Sequence, residues 1–180
     1  TIEPRLHYFN TPYDNQVGAP VFESTLLSPS YSNLFVPRWQ SGNDRIDDGE
    51  RLSAGITSRF ISTTTGLERL RVSVGQGFYN GNRYAALNPA LSVGVIDAHQ
   101  TQGLTSTALD QLHQLTRSRT NLEAEASTQL SNHWYLQTGI GYDTELDQGE
   151  HSHVMAWYRG KQAQFVSISA SQRALPSTAD

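Results

Sequence analysis

Side chains alternate between apolar and polar with a period of two through most of this chain, and the runs are long. Over 51–62, Leu52, Ala54, Ile56 and Phe60 fall on one side and Arg51, Ser53, Thr57 and Arg59 on the other. Over 68–80, Leu70, Val72, Val74 and Phe78 oppose Arg69, Arg71, Ser73 and Gly75. Over 120–131, Leu122, Ala124, Ala126 and Leu130 oppose Glu123, Glu125, Ser127 and Gln129. Over 134–143, Trp134, Leu136, Ile140 and Tyr142 oppose Tyr135, Gln137, Gly139 and Gly141. An opening run (Ile2, Leu6, Tyr8 against Glu3, Arg5, His7) and two weaker ones around 154–158 and 166–170 bring the expectation to about seven strands. Pro4 cannot donate to a ladder, so the opening strand is expected to start or bend there.

Runs of this length exceed the ~5–6 residues of an ordinary strand and match the ~9–11 of a tilted membrane-crossing one. The polar sides mix Arg, Glu and Gln with Gly, which suits a wet interior better than a dry core. The reading is an all-β fold, an antiparallel transmembrane β-barrel segment, with 1–180 as one partial barrel domain. The connections agree: 63–67 and 131–133 are short, whereas 10–50 and 81–119 are long and rich in turn formers, including Pro12, Pro20, Pro29, Pro37 and Pro89. A short helix is expected within 105–116 from the spacing of Leu109, Leu112 and Leu115. Trp134 and Tyr142 share a face eight residues apart. That is roughly 26 Å along a strand, or ~20 Å across a membrane after a ~40° tilt, near the spacing of two aromatic girdles.

Composition removes several function classes. The formal net charge is −4, so there is no surplus of cations for general nucleic-acid binding. There is no cysteine, hence no disulfide, thiolate metal site or thiol nucleophile in these residues. No apolar run reaches the ~18 residues of a membrane helix, and the opening residues do not read as a signal peptide.

Catalytic and metal patterns are sparse. His151 and His153 lack a third ligand at a suggestive spacing and read as a solvent-exposed loop pair. Asp47-Asp48-Gly49-Glu50 lacks the alternate ligands of a calcium loop and reads as a solvated acidic turn. Gly75-Gln76-Gly77 and Gly139-Ile140-Gly141 precede no helix, so relief of crowding on the inward face is the better reading. Asp110 and His113 stand at helical spacing but have no nucleophile beside them. No cofactor is called for.

The stretch 10–59 carries a more specific signal. It reads Pro12-Tyr13-Asp14-Asn15-Gln16, Tyr31-Ser32-Asn33-Leu34-Phe35, Ser41-Gly42-Asn43-Asp44-Arg45-Ile46 and Gly55-Ile56-Thr57-Ser58-Arg59. Glu3-Pro4-Arg5 precedes it and Ser73-Val74-Gly75-Gln76 follows. This string resembles the LptD family of lipopolysaccharide-assembly outer-membrane proteins. The likeness is dense over 1–79 and thinner at 139–146 and at Tyr158-Arg159, and 81–116 has no counterpart in it. The resemblance implies a middle part of a large barrel in the outer membrane of a Gram-negative cell. It implies no catalysis, and the LptE lipoprotein, lipopolysaccharide, membrane lipid and the remaining strands and periplasmic domain as partners. Seven strands do not close such a barrel.

Within that frame the apolar loop residues suit a cap in the barrel mouth. Tyr13, Tyr31, Phe35, Asp44 and Arg45 are expected to lie near the lipoprotein, with Asp44 and Arg45 paired to fix a turn. Arg51, Arg59, Arg69 and Arg71 are expected to face the lumen and make it locally positive, since arginine at the lipid midplane costs ~2–4 kcal/mol. The other classes open to the sequence are an outer-membrane barrel hydrolase and a soluble β-rich binding module.

Overall fold

The computed structural model of the chain describes residues 1–16, 19–87, 106–160 and 164–174. The sevenfold strand pattern is there: β1 (Ile2–Thr11), β2 (Gly49–Ile61), β3 (Glu68–Asn80), β4 (Leu122–Gln129), β5 (Trp134–Asp143), β6 (Gln148–Arg159) and β7 (Phe165–Arg173). They form one antiparallel sheet in the order of the chain, each strand paired to the next, and the sheet is not closed on itself. This is the form of a barrel segment. A helix, α1 (Ser106–Thr116), stands in the connection between β3 and β4 where the leucine spacing predicts one. No described helix is long and apolar enough to cross a membrane, which has no bearing on crossing by strands.

β1 starts before Pro4, at Ile2, and its pairing with β2 runs through Pro4 without a shift of register. The Thr1 ammonium donates to the Arg59 carbonyl at 2.7 Å, and the Arg59 amide donates to the Thr1 carbonyl at 2.8 Å. Counting by two from that pair, Pro4 opposite Ile56 falls where nitrogens point away from β2, so the ring costs no bond of this ladder.

The register puts every apolar series on one face. Ile2, Leu6, Ile56, Val72, Ile140, Val154 and Ile168 are all exposed there, and nothing among the described residues covers them. Two aromatic rows bound this face. Phe60, Trp134 and Tyr158 stand at the short-turn end, with the Trp134 and Tyr158 rings 5.2 Å apart. Tyr8, Phe78 and Tyr142 stand at the long-loop end. Between the rows the alternation places no Asp, Glu, Lys or Arg. Three of the polar side chains there bond internally. Thr128 donates to the Arg69 carbonyl at 2.8 Å, and Thr138 to that of His153 at 2.9 Å. The Gln76 amide donates to the Thr120 carbonyl and the Thr144 hydroxyl, both at 2.9 Å. Such pairing is what an apolar surrounding demands of a polar group.

The buried residues lie on the other face. Arg51, Ser53, Ser73 and Glu123 are buried there beneath the 12–48 connection, whose own core is Tyr31, Leu34 and Phe35. A two-sheet sandwich with the aliphatic faces packed together is not what forms.

Candidate functional site

The polar face and the loop upon it make the most elaborated part of the molecule. A 3-10 turn (Ser32–Phe35) delivers Tyr31 and Phe35 onto the sheet, with their rings 5.2 Å apart, edge to face. The sheet receives them at two glycines that the register sets opposite each other, Gly55 and Gly75. A Cβ at Gly55 would stand 2.8 Å from both rings, and one at Gly75 would stand 3.1 Å from Tyr31. Polar contacts then fix the seat. The Tyr31 amide donates to Glu125 at 2.8 Å, and the Thr57 hydroxyl donates to the Tyr31 hydroxyl at 3.0 Å. Arg5 lies over the Phe35 ring at 4.3 Å, and a guanidinium N–H of Arg51 donates to the Val36 carbonyl. Tyr31 and Phe35, expected to lie near a partner, thus serve first as the loop's anchor on its own sheet.

The side chains of Asp44 and Arg45 bond to different segments and do not form an ion pair with each other. The Asp44 carboxylate accepts the amides of Phe22, Glu23 and Ser24 at 2.8, 2.6 and 3.1 Å. Those amides, Glu23 foremost, hold its carboxyl below the ordinary aspartate value. Arg45 is 1% exposed and donates to the carbonyls of Ala19 (2.8 Å), Asp44 (3.3 Å) and Ala86 (3.3 Å). The expected pair is therefore corrected to two independent staples across the loop. Tyr13 packs edge-on against Tyr84, 5.6 Å between centroids.

The acidic turn also needs correction. Asp47 and Asp48 are buried, not solvated. Asp47 accepts the amides of Trp39 and Gln40, yet burial outweighs them and pushes its carboxyl up to about 6. Asp48 accepts the Tyr84 and Ala85 amides at 2.8–3.0 Å, joining the two long connections. Asp48→Ala is expected to leave both amides without acceptors and cost about 1–3 kcal/mol. Limited proteolysis of the full-length protein should then cut within 81–87, where the parent resists.

In the second connection His113 Nε2 lies 3.2 Å from Asp143 at the end of β5, and the Ser118 amide and hydroxyl donate to Glu145 at 2.8 and 2.6 Å. Burial works against the Glu145 charge, but the Ser118 donors hold its carboxyl below the ordinary value. The Asp110 side chain lies outside the described residues. His151 and His153 are not a loop pair: both lie in β6 on the polar face, opposite Gly141 and Gly139. Each ring occupies the space a Cβ at its partner glycine would need, and His151 Nε2 is 3.1 Å from Glu123. No grouping fit to hold a metal exists among the described residues.

Of the four arginines expected to face the lumen, the register sets Arg51, Arg59 and Arg71 on the polar face, in two groups. Arg59 and Arg71 stand at the short-turn end, where Glu68 is 2.5 Å from Arg59 and 2.9 Å from Arg71, and Glu3 is 3.1 Å from Arg59. Arg69 is beside them at the bulge of β2 and β3. Arg51 is at the far end, its guanidinium over the Phe9 ring at 4.8 Å and without an ion pair among the described residues. Sequence reading missed the carboxylate staples and the histidine seats. The one signal for the latter was Gly139 and Gly141 at matching spacing to His151 and His153.

The family model for LptD, LPS transport system D, matches residues 1–178. A protein of Thiobacillus denitrificans named LPS-assembly protein LptD is 32% identical over 159 residues, 88% of this chain and 19% of that relative. Proteins of the same name from Burkholderia cenocepacia and Burkholderia pseudomallei are 43% and 44% identical over 89 residues, 49% of this chain and 11% of each relative. The chain thus spans at most about a fifth of the length of these relatives.

Proposed function

This chain belongs to the LptD family, a family of lipopolysaccharide transport and not of catalysis, and from that premise we propose that it is a stretch of barrel wall through which lipopolysaccharide reaches the outer leaflet. The domain reading is residues 1–180 as one partial barrel domain in the outer membrane of a Gram-negative cell. The observation that carries it is the uncharged exposed face between two aromatic rows, backed by a charged face that the loop covers. Such a division suits a wall with lipid on one side and a wet lumen on the other. Arg51, Arg59, Arg69 and Arg71 then face the lumen.

The lipoprotein partner follows from the family and from one local feature. The loop staked down by Tyr31, Phe35, Asp44 and Arg45 presents Phe22, 85% exposed, at the point where Asp44 gathers three amides. A stapled loop offering one bare phenyl ring suits a rigid partner in the barrel mouth. Photocrosslinkers at Phe22 and Tyr13 of the full-length protein are expected to capture LptE in cells. Capture at neither position, with the protein assembled and lipopolysaccharide delivered to the surface, removes that contact and leaves the transport role in place.

A further inference from the structure

A cavity of about 120 Å³ lies between the loop, the segment after α1 and the polar face of the sheet. It is large enough for several waters or one tetrahedral oxyanion. Its walls carry Arg51, Arg117 and Arg173 against one carboxylate, Glu123. Glu123 is already engaged with His151 at 3.1 Å, and Arg173 with Glu150 at 3.4 Å. Arg51 and Arg117 have no ion pair among the described residues. Arg117 donates one guanidinium N–H to Asn121 at 3.2 Å, and Arg51 donates to a backbone carbonyl.

A third cation stands behind the wall. Arg83 is 4% exposed and its guanidinium lies 3.4 Å from the centroid of Tyr79, a ring that lines the cavity. Burial first, and then the Arg117 and Arg51 charges, hold Arg83 down to about 10 although Tyr79 and Asp48 favour its charge. Arg51, Arg83 and Arg117 each keep at least one fully buried guanidinium nitrogen without an acceptor. Three cations brought together with buried, unsatisfied donors are costly in a folded protein unless an anion joins them. Guanidinium donors match the oxygens of phosphate in particular.

We propose that this cavity is a binding site for a phosphate group, with Arg51 and Arg117 as its direct donors and Arg83 as supporting charge. The chemistry is a phosphate mono- or dianion, either free or carried on a lipopolysaccharide. Only the second source rests on the transport role.

The test uses the full-length protein in nanodiscs, titrated with inorganic phosphate by calorimetry against chloride of equal ionic strength. Saturable phosphate binding is expected in the parent and in Arg159→Gln, which removes one charge at the opposite end of the face. Arg51→Gln and Arg117→Gln should each weaken it about tenfold or more. Absence of saturable binding in the parent, which needs no variant to fold, overturns the site, as does equal binding in all four proteins. Lipopolysaccharide with its phosphates intact or enzymatically removed separates the sources. Competition by the intact form alone assigns the site to the lipid, and competition by neither assigns it to free phosphate. Surface lipopolysaccharide measured in the same strains reports on transport separately, so delivery that continues without phosphate binding removes this site and spares that role.

Discussion

Val154→Arg is expected to cost the membrane-assembled protein about 2–4 kcal/mol, whereas Met155→Arg should cost less than about 1 kcal/mol. The two positions are neighbours in β6 and differ little in the chain by itself: Val154 is 42% exposed and Met155 40%. A sheet with water on both faces would therefore treat an arginine alike at either. The register separates them. Val154 pairs with Thr138, four residues from Trp134 and four from Tyr142, so it sits midway between the aromatic rows on the uncharged face. Met155 pairs with Gln137 on the face that carries the ion pairs. On the proposed barrel reading an arginine at 154 must take its charge into hydrocarbon or bend out to the interface, whereas one at 155 joins the polar face that carries Arg59 and Arg71. The measurement is the denaturant midpoint of the full-length protein refolded into lipid vesicles, set beside the yield of heat-modifiable barrel in cells. Equal losses at both positions, or a loss confined to Met155→Arg, would sink the assignment of faces and the barrel reading with it.

The faces themselves were legible in the sequence because each side chain of a strand carries its own face assignment. Leu52, Ile56 and Phe60 announce one side whatever their neighbours do. Pairing is not local, and what depends on it was hidden. Asp47 and Asp48 look like a solvated turn because the Asp48 acceptors serve Tyr84 and Ala85, residues of another connection. The β6 histidines look like loop residues because the strand's first half, from Gln148, is almost wholly polar. Only alignment with Gly139 and Gly141 reveals a seat. Asp44 beside Arg45 invites a salt bridge by adjacency, yet the backbone turns them toward separate partners. The apolar content of the loop did point to burial, and Tyr31 and Phe35 are buried. What they are buried against follows from Gly55 standing opposite Gly75, a fact of register. Pro4 is a case of the same kind: its cost depends on which way its nitrogen points in the ladder, a matter of register.

That register gives the remaining large effect. Gly55→Val should lift the 19–47 loop from the sheet, and Ala54→Val, one residue away on the opposite face, should leave it seated. Even the first carbon added at Gly55 would lie 2.8 Å from Phe35 Cζ and from Tyr31 Cε2, inside any van der Waals distance. Gly75 cannot yield room from below, because there the Ala54 carbonyl oxygen stands 2.8 Å from where a Cβ would be. Two responses are open. If the rings stay, overpacking costs about 1–3 kcal/mol. If they leave, Tyr31, Leu34 and Phe35 lose burial of roughly 1.5–3 kcal/mol each, and the hydrogen bonds from Tyr31 to Glu125 and from Thr57 to Tyr31 go with them. The strands hold their own ladders independently of the loop, so the barrel should assemble in either case and the change should be confined to the loop. Maleimide labelling of Ser30→Cys from outside the cell reads this directly, with an increase of about tenfold expected in the Gly55→Val background, in line with a shift of 1.4 kcal/mol or more in the seating equilibrium. Tyr31→Ala in a Gly55→Val background should add little, because the contact it removes is already broken. A loop equally protected in the parent and in Gly55→Val would mean that the glycine pair is not the seat. The cavity walled by Leu34 and Arg51 owes its shape to this seating, so phosphate binding should weaken in Gly55→Val even though every arginine remains.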